Sequence, residues 1–87
     1  MTKIYIYCLF DRWDVFCGVY SSLKAVHRDA LKIANTGTHP VFMETENGPH
    51  KPSLTLLRNT FKGRNDVWVS YGAGPSRAKI LKTKLKE

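Results

Sequence analysis

Eighty-seven residues make one small domain and leave no room for a second core. With 43% hydrophobic and 11% aromatic residues the chain is too apolar for a disordered basic tail, and two cysteines are too few for a disulfide framework. The net charge of +7 is one-sided: five cations face five carboxylates up to His50, whereas residues 51–87 carry nine cations against Asp66 and Glu87. A field of this kind attracts polyanions or acidic protein surfaces.

The first expected element is the aromatic and aliphatic run from Ile4 to Phe10, a strand with two apolar faces. It is too short for a secretory core or a membrane span, so a cytoplasmic protein is expected. Val15 to Tyr20 reads as a second strand, joined to the first by a hairpin at Asp11-Arg12-Trp13-Asp14. Pairing Phe10 with Val15 sets Cys8 opposite Cys17. Ile6, Cys8, Phe10, Val15, Cys17 and Val19, together with Ile4, then share an expected core face. Tyr5, Tyr7, Leu9, Phe16 and Tyr20 take the other face.

Ser21-Ser22 supplies an N-cap ahead of Leu23, Val26, Ala30, Ile33 and Ala34, spaced as the apolar stripe of a helix. Lys24, Arg28 and Lys32 recur every fourth residue as its solvated face, and Asn35-Thr36-Gly37 stops it. Pro40 to Glu46 is an expected strand, closed by a turn at Asn47-Gly48-Pro49. Ser53 caps a shorter helix with Leu54, Leu57 and Phe61 on one side and Gly63 at its end. Val67 to Tyr71 is a further strand, followed by a turn at Gly72-Ala73-Gly74-Pro75. In the last segment Leu81, Thr83 and Leu85 alternate with Lys82, Lys84 and Lys86. A strand with a lysine-coated outer face that guards a sheet edge is preferred there over a helix capped by Ser76. The fold class is therefore α+β: one domain over residues 1–87, with an antiparallel sheet of four to five strands and two helices, ordered β-β-α-β-α-β-β. Its thin core leaves a homodimer open.

Gly18-Val19-Tyr20-Ser21-Ser22, followed by Leu23, Ala25 and Ala30, also carries a resemblance. Residues 3–34 resemble a strand-hairpin, turn and helix module of many small bacteriophage and bacterial proteins. The resemblance implies an α+β fold and a phage origin, hence a host cytoplasm. It implies no activity, since such relatives mostly have none assigned.

Several residue sets carry candidate chemistry. The basic third, residues 51–87, offers Arg58 and Lys62 four apart on the second helix, with Arg64 after it. Arg77, Lys79, Lys82, Lys84 and Lys86 follow, and together these cations fit a phosphate backbone or an acidic protein. Tyr5, Tyr7, Phe16 and Tyr20 would form an aromatic platform for bases if their sheet face were open, with Trp68 in support. The alternative, favoured by Leu9 and Phe16, is that the second helix covers that face and the sheet is buried on both sides. Gly72-Ala73-Gly74-Pro75-Ser76-Arg77 lacks the spacing of phosphate-binding loops and reads as a hairpin. Cys8 and Cys17 lack the close pairing of zinc ligands and read as two small buried hydrophobes. His27, His39 and His50 have no partner in sequence spacing that would make an acid–base pair. No metal or cofactor is expected.

The expected function is that of a small, non-enzymatic, phage-type accessory protein. Its basic C-terminal face would bind nucleic acid or a nucleoprotein machine. An inhibitor docked on an acidic surface of a host protein is the alternative, and a small histidine-dependent nuclease a second one.

Overall fold

The computed structural model describes residues 5–64, 67–73 and 76–84. The elements run β1 (Tyr5–Asp11), β2 (Phe16–Tyr20), α1 (Leu23–Ala34), β3 (Phe42–Thr45), β4 (Gly48–His50), α2 (Leu54–Phe61), β5 (Val67–Ala73) and β6 (Ser76–Lys84). They form an α+β domain with one antiparallel sheet, ordered β2-β1-β6-β5-β3-β4. The strand beyond the expected four or five is β4. The turn forms one step early, at Glu46 and Asn47, and Gly48 leaves it at φ 105° to pair with Thr45. Pro49 then sits on an edge strand, where its missing N–H costs no ladder bond.

Both helices form where serine caps meet apolar stripes. The Ser22 hydroxyl accepts from the Ala25 amide at 3.3 Å, and that of Ser53 from the Leu56 amide at 3.2 Å. The Asn35 amide donates to the Leu31 carbonyl at 2.9 Å to close α1. The buried stripe of α1 is Val26, Ala30 and Ala34, and that of α2 is Leu57 and Phe61. All five join one core with Leu9 of β1, Met43 of β3, Val69 and Tyr71 of β5, and Ala78 and Ile80 of β6. These strand residues share a face through the pairs Leu9–Ile80–Val69 and Ala78–Tyr71–Met43. Both helices thus cover the same side of the sheet.

Three expectations are corrected here. First, the hairpin register differs. The Asp11 carboxylate accepts from the amides of Trp13 (2.8 Å) and Val15 (3.0 Å), and Asp14 turns left-handed at φ 59°. This tightens residues 11–15 into a loop, so Phe10 pairs with Phe16 and Cys8 with Val19. Cys17 is the extra residue of a bulge between those pairs, and it is exposed rather than buried.

Second, the core face is the opposite one. Tyr5, Tyr7, Leu9 and Tyr20 turn toward the helices: the Tyr7 ring stacks on Phe61 at 5.8 Å, and the Tyr20 hydroxyl donates to Asp29 of α1 at 2.6 Å. Ile6, Cys8, Phe10, Phe16 and Val19 lie on the other side, which neither described helix covers. Among the described residues the sheet is buried on one face only.

Third, β6 lies between β1 and β5, so its lysines guard no edge. Lys82 points inward, 7% exposed, and its Nζ donates to the Phe61 carbonyl at 2.7 Å while lying 4.6 Å from the Tyr5 ring centre. A lysine there satisfies a carbonyl at the C-terminal end of α2, where a positive charge is favoured. Leu81 and Thr83 face outward. Leu85 and Lys86 lie outside the described residues.

The assignment of faces has a direct test in urea unfolding. Leu9→Ala removes a buried side chain and should cost about 2–5 kcal/mol. Val19→Ala, at 54% exposure on the uncovered face, should stay within about 0.5 kcal/mol. Reversed magnitudes would put the core on the other side.

Candidate functional site

The uncovered face is organised in rows that run across the strands. One row is Phe16, Phe10, Lys79, Ser70, Glu44 and Pro49, from β2 through to β4. The next is Val19, Cys8, Leu81 and Trp68, and a third is Arg77, Gly72 and Phe42. The aromatic rings touch across these rows: Phe10 meets Phe16 edge-on at 5.8 Å and Trp68 at 5.7 Å. Trp68 and Phe16 are each 50% exposed, so this three-ring cluster presents ring surface to solvent. Lys79 extends beside it, with Nζ 5.8 Å from the Trp68 ring centre and 2.8 Å from the Asp14 carboxylate of the hairpin loop. At the hairpin tip Trp13 is exposed beneath the Arg12 guanidinium, 4.2 Å from its ring centre.

Of the aromatic residues singled out in sequence, Phe16 and Trp68 lie on this face, whereas Tyr5, Tyr7 and Tyr20 belong to the helix side. Phe10, assigned to the core by sequence reasoning, is the ring that joins the other two. Phe42 and Glu44 carry no sequence signal of a site. They reach this face only because β3 pairs with β5.

The sequence-selected cations are divided between the two sides of the sheet. Arg77 and Lys79 are on the open face. Arg58 is exposed on α2 and Lys62 caps it, Arg64 makes a two-pronged pair with Glu46, and Lys82 is buried. Lys84 ends β6 on the helix side, and Lys86 lies outside the described residues. Lys24, Arg28 and Lys32, from the charge-balanced half of the chain, line a groove between α1 and α2 with Leu31 and Leu54. Folding therefore spreads the sequence asymmetry over two surfaces, one cationic and one aromatic.

The remaining candidates are placed as follows. Gly72 and Ala73 are paired with Arg77 and Ser76 as the end of a strand ladder; Gly74 and Pro75 lie outside the described residues. Cys8 and Cys17 are both free thiols, and Cys17 donates weakly to the Val15 carbonyl at 3.4 Å. His39 is in an exposed loop, hydrogen-bonded to Thr38 at 3.0 Å, and His50 lies on β4 opposite Met43. His27 Nδ1 and the Tyr71 hydroxyl are 2.5 Å apart, packed between α1 and the sheet. Among the described residues no group of three or more metal-ligating side chains forms, and no helix is long and apolar enough to cross a membrane. Comparison of the chain with protein families, with curated proteins and with solved structures finds no match.

Burial holds the His27 imidazole below its ordinary value of 6.5 and pushes the Tyr71 phenol up. The unfolded chain therefore takes up a proton that the folded His27 resists. Its contribution to stability is complete above pH 6.5 and is lost as pH falls through the folded value. Asp29 is held below the usual carboxylate range by the Tyr20 hydroxyl and then Arg28, and Glu46 by Arg64, so their losses begin at lower pH. The urea midpoint should fall between about pH 7 and about pH 5, and His27→Gln should flatten that fall. An unchanged slope in the variant would assign the effect elsewhere.

Proposed function

We propose that the protein is a non-enzymatic binding module that takes single-stranded nucleic acid on its open sheet face. The observation that supports this reading is the continuous Phe16–Phe10–Trp68 cluster, with Lys79 in the row of the two phenylalanines and Arg77 in the row beside it. Bases stack on aromatic rings whatever their sequence, and neighbouring cations neutralise the phosphates between them. The sheet is backed by two helices, so the rings are held on a rigid floor. Arg58, Lys62 and Lys84 on the opposite side raise the local concentration of a polyanion without touching the bases. An accessory role at a nucleoprotein machine, in keeping with the phage resemblance, needs no more than this. The aliphatic part of the same face, Val19 and Leu81, favours a second reading in which an acidic protein of the host docks there.

Fluorescence anisotropy with labelled single-stranded DNA and RNA at rising salt separates the two. Binding should weaken steeply with salt, show little discrimination between DNA and RNA, and quench tryptophan emission. Trp68→Ala should lower affinity about 5- to 150-fold, the worth of one base stacked on a ring. Absence of binding at about 50 mM salt would overturn the nucleic-acid reading and leave the protein one.

A further inference from the structure

Beyond the stacking cluster, toward β3, the open face dips into a cleft of about 300 Å³ lined by Phe42, Glu44, Pro49, Gly72 and Arg77. Glu44 and Arg77 carry opposite charges into this one cleft, yet neither side chain forms a hydrogen bond or ion pair with another described residue. Phe42 and Arg77 are both register partners of Gly72, which stands between them with no side chain. A Cβ on Gly72 would come 3.7 Å from Arg77 Nη1, so the guanidinium reaches over the backbone at the cleft floor. Phe42 is 44% exposed and supplies an apolar wall. The cleft thus offers a flat ring, a two-pronged donor and a two-pronged acceptor, and among the described residues neither charged side chain is paired.

We propose that this cleft takes one guanine base. Guanine alone among the common bases presents two adjacent acceptors, O6 and N7, together with two adjacent donors, N1–H and the N2 amino group. The Arg77 fork matches the first pair and the Glu44 carboxylate the second, while Phe42 stacks on the ring. Adenine and cytosine each offer a single exocyclic amino donor to a carboxylate. Uracil and thymine offer one N–H set between two acceptors, which a carboxylate repels. The base can belong to a single strand or to a free guanine nucleotide, because the recognised atoms are the same. For a strand, the inference rests on the reading of the open face given above; for the nucleotide it stands alone.

The experiment measures anisotropy of the full chain with oligothymidylate carrying one central guanine, adenine or cytosine, and in parallel titrates guanosine monophosphate by two-dimensional NMR. The guanine oligonucleotide should bind about 5- to 150-fold more tightly than the others. Glu44→Gln should abolish that preference without weakening the binding of plain oligothymidylate, because it removes a negative charge from the face. Binding without guanine preference, or a preference that survives Glu44→Gln, overturns the guanine site while leaving the open-face reading intact. If no oligonucleotide binds, that wider reading falls, and the nucleotide titration decides the cleft. Saturable shifts at Phe42 and Gly72 that vanish in Glu44→Gln support the site, and their absence overturns it.

Discussion

The contact on which the rest of the structure depends is the packing of the small stripe of α1 against the centre of the sheet. Ala30 and Ala34 are fully buried on the face of α1, which packs on β6 and β1, and they share one core cluster with Ala78 and Ile80 of β6. Small side chains on the helix and on the strand beneath it let the two layers approach closely, and larger ones would hold them apart. Once α1 is seated there, Leu9, Val69 and Tyr71 become interior and the sheet has an inside. Tyr20 ties the edge strand to the same helix through Asp29, and Lys82 ties β6 to the end of α2.

Two short helices cannot cover a six-stranded sheet twice. With both on one side, the opposite face is left with the other half of each strand's side chains. In β1 and β2 that half is nearly as apolar as the buried half, and this is what gives the molecule an exposed aromatic cluster. An uncovered face of this kind on a small domain usually marks a surface that meets something. The cations that reach it, Arg77 and Lys79, come from alternate positions at the start of β6, and the rest of that strand's charge points the other way.

Much of the architecture was legible along the chain. Both helices run where Ser22 and Ser53 cap them and where the apolar spacing ends, because capping and periodicity are local properties of the backbone. The strand character of β1, β2, β5 and β6 was equally local. The site was far less legible. Trp68 and Phe16 stood out as aromatics, but Phe10 was assigned to the core, and nothing near Glu44 or Phe42 distinguished them from ordinary strand residues. One bulge at Cys17 changes which side of the sheet Phe16 occupies, and no pattern in the sequence announces it.

Composition and periodicity by themselves determined the class of fold, the positions of the caps and the charge excess after His50. Only the tertiary structure decided which face of β1 is the core, because both faces are apolar and the choice belongs to the helix that packs on it. Only the tertiary structure decided where the charge goes as well. Strand order put β6 in the middle of the sheet, and alternation along it sent Lys79 to the open side and Lys82 into the interior. A run of lysines that reads as one basic edge is thereby divided between a surface, a buried cap and a second surface.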